Sequence, residues 1–419
     1  MEEVQTLIRP DTLVDSERCA PALSTDVVII GGGLAGSLAG AMLGRAGIDC
    51  VVVDPHTEYP PDFRCEKLDG DQVARLQKTG LADEVLSAAT FDGEAWVARM
   101  GVVVDKRPGD QHGIFYASLV NRMRSSIPSK VRFCYATARR LTTDTDRQSV
   151  TLSDGTTISA RLAILSNGLG LALRDELGLT REYISRSHSV TLGFNMTAVG
   201  RRHFDFRALT SYAKSPSDRT ALITIFPIGS TVRANLFTYR TMDDPWLSEM
   251  RHAPEKTLRA LMPELEQMIG PFSIEKPIQI RPVDLYVSRG HFQPGLVLVG
   301  DAFATSCPAS GNGVRKVITD VERLCNVYIP QWLATPGMDT EKIAAFYADP
   351  VKCACDRSSL NKALTLKRYS TDAAPIWRAR RNARFVQHLA LGFARRLWMR
   401  LSGQFSSGAD HAVLPVRSS

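Results

Sequence analysis

The sequence predicts an α/β protein in which a doubly wound, Rossmann-type parallel sheet is interrupted by an inserted antiparallel sheet and followed by C-terminal helices. Three observations predict it. A glycine-rich turn joins an apolar strand to a helix near the start of the chain. A second apolar strand, about 270 residues later, ends in Gly300-Asp301. Between the two lie long stretches in which apolar and polar residues alternate.

Taken in order, Asp26-Val27-Val28-Ile29-Ile30 is a continuous apolar run, the pattern of a central parallel strand buried on both faces. Gly31-Gly32-Gly33-Leu34-Ala35-Gly36 follows, and small residues with helical spacing continue to Gly47. Cys50-Val51-Val52-Val53 ends in Asp54 and completes a β-turn-α-β unit. From about Phe91 to Val104, and from Ser187 to Tyr239, residues alternate as in half-buried strands. Gly229-Ser230 sits between two such runs as a tight hairpin turn. Leu296-Val297-Leu298-Val299 returns to the parallel pattern, a helix is predicted from about Val314 to Tyr328, and the chain after Pro336 reads as helical. The predicted organisation is a discontinuous nucleotide-binding domain (25–180 and 278–335), with about 85–110 lending strands to the inserted sheet. The inserted substrate domain spans 181–277, and a helical, Arg-rich segment spans 336–419.

Composition narrows the function classes. No run of about 18 uncharged apolar residues appears, so no transmembrane helix is expected. The first 25 residues carry acids and lack an apolar core, and they read as a loosely ordered leader rather than a secretory signal. The eight cysteines are scattered, with only Cys353 and Cys355 close together, which suits neither a zinc site nor a C-x-x-C redox pair. Reduced thiols, a cytoplasmic location and no metal site are the expectation. The net charge of +7 comes from seven arginines between 373 and 409, where there is no acid; without them 44 basic residues face 44 acidic ones. Such a distribution argues against a nucleic-acid-binding groove.

Gly31-x-Gly33-x-x-Gly36 is the dinucleotide fingerprint. The first glycine permits the turn, the second lets backbone approach a pyrophosphate, and the third lets helix pack on strand. The pyrophosphate then lies at the helix N-terminus beside Leu34 and Ala35, where free N–H groups favour anions. Asp54 sits where a carboxylate binds ribose hydroxyls.

Gly300-Asp301-Ala302, followed by Pro308, Gly311-Asn312-Gly313, Asp320 and Leu324, resembles the second motif of the class A flavoprotein monooxygenases, the para-hydroxybenzoate hydroxylase type. Family positions read G-D-A-x-H-x(3)-P-x(2)-G-x-G-x-N-x(4)-D-A-x(2)-L. The resemblance covers roughly residues 25 to 335 and implies FAD, with Asp301 on the ribitol chain and the turn from Pro308 to Gly313 at the isoalloxazine ring. Three departures stand out: Ala304 replaces histidine, Phe303 a small residue, and Arg315 an asparagine. Arg315 near the ring would add positive charge and raise its potential; the alternative is a solvent-facing helical arginine. Leu162 to Arg174 is similar to the family's internal A-D-G-x-x-S-x-V-R stretch through Gly168 and Arg174, with Asn167 standing for aspartate. Arg64 lies where the family has a flavin-contacting arginine, the alternative being a surface pair with Glu66, and Tyr116 replaces a family arginine.

The family's chemistry would be reduction of FAD by NADPH or NADH, formation of a flavin C4a-hydroperoxide with O2, and hydroxylation or epoxidation of a small, largely apolar or aromatic molecule. Tyr212, Phe226 and Pro308 are candidate wall residues, with His188 or Tyr212 as partners for a substrate hydroxyl and Pro308, Arg315 and Tyr212 as the candidate catalytic set. The alternatives are reduction of a prenyl-type C=C bond, halogenation, or a non-catalytic dinucleotide-binding protein. In the tail, Phe385, Leu389, Phe393, Leu397 and Leu401 recur every four residues, but Arg396 and Arg400 fall inside that arc. The segment therefore reads as a helix packed on the body, with peripheral contact to an anionic membrane as the alternative.

Overall fold

The computed structural model describes residues 22–64 and 66–401. The expected leader before residue 22, and the segment 402–419, lie outside the described residues, as do the side chains of Arg396, Arg400 and Leu401.

Five parallel strands form the centre of the first sheet, in the order Arg132–Cys134, Cys50–Val53, Ala22–Ile30, Thr157–Leu165, Leu296–Leu298. The first strand begins earlier than its apolar run suggests, because Ala22 to Thr25 already pair with Thr157 to Ala160. Val27 and Ile29 pack into one core while Val28 and Ile30 pack into another, so alternate side chains are buried on opposite faces. This double burial accounts for the unbroken apolar run. The outer half of Thr157–Leu165 pairs with an antiparallel ribbon, Gln148–Leu152 and Ala138–Thr142, which the sequence reading does not single out.

The second sheet has seven strands, in the order Phe272–Arg289, Thr180–Ala198, Thr231–Thr238, Thr220–Ile228, Ala208–Tyr212, Glu94–Arg99, Val102–Pro108. Its period-two pattern has a direct consequence. Val190, Leu192, Phe194, Ile223, Ile225 and Leu236 pack beneath it against helices Pro245–His252, Pro254–Leu261 and Leu265–Ile269. Thr191, Thr224, Asn235 and Phe237 alternate with them and line the cavity on the other face. Strand Phe272–Arg289 runs through position 278, where the sequence suggests a boundary, and pairs with Thr180–Ala198 on both sides of it. One continuous strand of the second sheet thus reaches the first domain, where Val287 packs against the core and bridges to Ala304.

The helix expected over 314–328 ends at Arg323, widens into a π turn at Leu324–Tyr328, and resumes at Ile329–Leu333. Pro330 has no N–H to continue the regular ladder, and a wider turn accommodates that loss. Helices Thr340–Tyr347, Pro350–Thr371 and Pro375–Leu401 follow and end the described residues. Asp320, read as a motif residue, lies in a buried ion cluster. Lys352 Nζ is 3.0 Å from both Asp320 Oδ1 and Asp356 Oδ2, and Lys316 Nζ is 3.1 Å from Asp356 Oδ1. Buried charges of this kind persist only when paired, so the cluster fastens Pro350–Thr371 onto Gly313–Arg323. Among the described residues, no helix is long and apolar enough to cross a membrane.

Candidate functional site

A cavity of about 800 Å³ opens at the C-terminal ends of the parallel strands and extends to the exposed face of the antiparallel sheet. It is lined by Gly31, Gly33, Leu34, Ala35, Asp54 and Arg64 from the first third of the chain, and by Gly168, Gly300, Asp301, Pro308, Gly311 and Gly313 from the rest. Tyr212 reaches the same cavity from the antiparallel sheet. Gly36 and Asn312 stand just behind this lining, and Arg315 is not part of it.

The three fingerprint glycines do different things. Gly31 has φ +103°, and a Cβ there would lie 2.7 Å from the Ser166 carbonyl oxygen. A Cβ on Gly36 would be 1.8 Å from the Gly31 carbonyl oxygen, so this position fixes helix against turn. At Gly33 the nearest neighbour of a Cβ would be Tyr59, 3.8 Å away; the side-chain volume missing here belongs to the cavity. Helix Leu34–Arg45 starts at Gly33 without a side-chain cap, leaving its first N–H groups facing the cavity.

Asp54 does not stand free at its strand end. It accepts hydrogen bonds from the Gly32 N–H at 2.8 Å and the His56 N–H at 3.0 Å, and pairs with Arg124 at 2.9 Å. Burial pushes its pKa up, but the Gly32 and His56 N–H groups and Arg124 together hold the carboxyl below its ordinary range. Arg124 also donates to the Gly32 carbonyl at 2.9 Å and the His56 carbonyl at 2.6 Å. Arg124 therefore organises the turn, a role the sequence reading misses because the contact spans 92 residues.

At the other end, Arg64 is not a surface partner of Glu66. It donates to Asp62 at 2.5 Å and to Asp301 at 2.7 Å, above the Tyr116 ring, and so ties the chain at 62–64 to the second motif. Gly300 and Gly311 take positive φ values, +61° and +68°, in the turns around Asp301 and Pro308. Gln72 donates to the Gly311 carbonyl at 2.7 Å. Helix Gly313–Arg323 starts at Asn312, again without a side-chain cap. The two longest helices pointing into the cavity thus present uncapped N-termini to it, a field that favours negative charge at both ends of one elongated ligand. Asn167 lines the same space, with its Oδ1 buried and unpartnered. These features fit FAD.

A model of the FAD binding domain family matches residues 24–329. The chain belongs to the FAD-binding domain family. This flavoprotein is 25% identical over 324 residues to the ubiquinone hydroxylase UbiL of Rhodospirillum rubrum, covering 71% of this chain and 70% of that protein. It is 31% identical over 225 residues to a menaquinone reductase of Mycobacterium tuberculosis, covering 49% of this chain and 53% of that one, so the match spans about half of each. The flavoprotein superposes on p-nitrophenol 4-monooxygenase PnpA from Pseudomonas putida DLL-E4 with a TM-score of 0.68 and 18% identity, covering 91% of this chain and 98% of that one. It is a flavin-dependent oxidoreductase with the fold of the class A flavoprotein monooxygenases.

Several sequence expectations about the flavoprotein's side chains are corrected by its geometry. Arg315 Nε lies 3.3 Å from Asp71 Oδ2, outside the cavity, because its position in the first turn of helix Gly313–Arg323 directs it toward helix Gly70–Lys78. Arg174, which matches the family's internal stretch, is buried, donating at 2.6 Å to both the Ala302 carbonyl and Ser288 Oγ, and braces the Gly300–Ala302 turn. His188 and Phe226 are buried and do not line the cavity. His188 Nδ1 is 3.1 Å from Ser185 Oγ, with its ring against Tyr239. Tyr212 does line it, with the Arg99 guanidinium 3.6 Å from the ring centre on its other side.

What the sequence reading misses is Glu66. It lines the cavity, pairs with Arg233 at 2.7 Å, and accepts from the Asn235 amide at 2.9 Å when the nitrogen is turned toward it. Burial pushes its pKa up, only partly offset by Arg233 and Asn235. Near it, Thr191 Oγ1 is buried without a partner. No local pattern marks these residues, since they meet only once the antiparallel sheet is laid over the first domain.

Proposed function

We propose that this flavoprotein is a monooxygenase that uses NADPH or NADH and O2 to hydroxylate or epoxidise a small, largely apolar or aromatic molecule. The observation that carries the reading is the single cavity shared by the Pro308–Ser310 turn and the wall formed by Tyr212, Leu222 and Phe237. FAD would be held by the Gly33 helix end, Arg64 and Asp301, and would supply the electron transfer and the activation of oxygen.

The chain's own residues then bind and orient. Leu222, Phe237 and Val283 offer apolar surface, while Thr191, Thr224 and Asn235 offer a narrow polar strip on the same face. A ring lying on the apolar wall would place one hydroxyl or carbonyl against that strip, and Glu66 stands ready to hold its proton. The antiparallel sheet covers the site and limits water. A quinone or related ring fits this description, consistent with the ubiquinone and menaquinone named for the two relatives.

The test is a screen for ring compounds that accelerate NADH or NADPH oxidation, followed by mass spectrometry of the product formed under isotopically labelled O2. Label in the organic product supports the reading. A product that gains hydrogen without label would instead establish the second reading, reduction of a prenyl-type C=C bond, which the 31% identity to a menaquinone reductase favours.

A further inference from the structure

The C-terminal helix Pro375–Leu401 packs on the body with the wrong face for a core helix. Arg381, Phe385, His388, Gly392 and Arg395 are turned inward: a Cβ on Gly392 would lie 2.0 Å from the Val104 carbonyl oxygen, and Arg395 pairs with Asp105 at 2.7 Å. Arg381 is buried and donates to the Tyr369 and Asp372 carbonyls at 3.0 and 2.8 Å. Other apolar residues point away from the protein. Val386, Leu389, Phe393 and Leu397 are between 41% and 63% exposed, and Trp398 is 59% exposed.

At about 100° per residue, Leu389, Phe393, Val386 and Leu397 fall within an outward arc of about 80°, an arc that the positions of Asn382 and Arg400 also enter. Exposed Arg378 borders one side of that arc, and exposed Arg380 and Arg384 lie beyond the other, alongside Trp398 and Leu391. No acid occurs between 373 and 409. The strand beneath, Val102–Pro108, adds exposed Lys106 and Arg107, and its one acid, Asp105, is already paired with Arg395. An outward apolar stripe with cationic margins is the signature of a helix lying in the plane of a lipid interface. Clustered arginines without acids specify an anionic surface.

We infer that Pro375–Leu401 docks this flavoprotein onto the surface of an anionic lipid membrane, without crossing it. The position also suits the cavity. Phe385 and Arg381 share a narrow crevice with Tyr212, which also lines the main cavity. The docked helix therefore lies beside one wall of the site proposed above for an apolar substrate. Docking depends on the helix alone, whether or not that substrate reading holds.

The experiment is flotation of the purified, FAD-loaded full chain with phosphatidylcholine vesicles, with and without phosphatidylglycerol, at low and high salt. The expected result is flotation with the anionic vesicles only, weakened by salt. A Leu389→Glu/Phe393→Glu variant should lose binding by about tenfold or more, and so should an Arg378→Glu/Arg384→Glu variant. All four side chains are exposed, so both variants should keep the wild-type flavin spectrum and unfolding temperature. Absence of flotation with anionic vesicles overturns the inference. So does equal flotation of wild type and both variants, or a dimer in solution that dissociates in the Leu389→Glu/Phe393→Glu variant while vesicles remain unbound.

Discussion

At the scale of single residues, the decisive contacts are those no local pattern encodes. Arg315 illustrates the limit. A departure from the family pattern in the first turn of a helix suggests a cation at the ring, yet helical geometry turns it onto Asp71. An Arg315→Asn variant should therefore leave the reduction potential of the bound flavin unchanged, as measured by anaerobic dye-coupled reduction; a clear fall would return Arg315 to the site. His188 gives a second test. Burial, with Lys367 nearby, lowers its pKa from 6.5 to about 4. The unfolded chain then takes up a proton that the native state refuses as pH drops below 6.5, so this residue withdraws stability progressively between about pH 6.5 and 4. Between pH 7 and pH 5, urea unfolding of His188→Leu should lose about 1–2 kcal/mol less stability than wild type. Parallel losses in the two proteins would mean that the ring is already charged in the native state.

At the scale of elements, the parallel strands were legible because burial on both faces leaves a short, unbroken apolar word such as Val27-Val28-Ile29-Ile30. The hairpin at Gly229-Ser230 was legible because its flanking strands alternate cleanly and its turn needs a residue at φ +59°. The ribbon at Ala138–Leu152 was not, since exposed arginines interrupt its alternation, and the π turn at Leu324–Tyr328 follows from a missing donor rather than from any apolar rhythm. The glycine turn shows what spacing alone leaves out. Its three glycines look equivalent in the sequence but meet different surroundings. Gly36→Ala, with a Cβ 1.8 Å from backbone oxygen, should unfold or strongly destabilise the protein. Gly33→Ala should fold with near wild-type unfolding temperature in the absence of cofactor and bind FAD at least about tenfold more weakly, because its methyl projects into the cavity. Thermal unfolding and flavin titration of the two variants separate these outcomes, and equal behaviour would contradict the assigned roles.

At the scale of the whole molecule, the site is an assembly problem. Arg64 reaches Asp301 across 237 positions, and Gln72 reaches Gly311 across 239, so the segment from 64 to 72 is held against the second motif before any ligand contributes. Asp301 and Gly311 were visible within a sequence motif and Arg64 through the family resemblance, but Gln72 was not; their convergence, and the Glu66–Arg233–Asn235 group, depended on how the second sheet folds across the first. The C-terminal helix belongs to the same lesson. Its arginines were visible, but which face meets the body was decided by Gly392 against Val104 and Arg395 against Asp105. The claim on which the rest depends is that one flavin spans the distance between the Gly33 helix end and the Pro308 turn. Its most direct measurement is a titration of flavin-stripped protein with FAD and, separately, with FMN, followed by absorbance and fluorescence. The account predicts saturable binding of one FAD per chain, with much weaker FMN binding because the Gly33 end grips the adenine-bearing half. Protein that stays colourless in excess FAD, or binds FMN equally well, would contradict it.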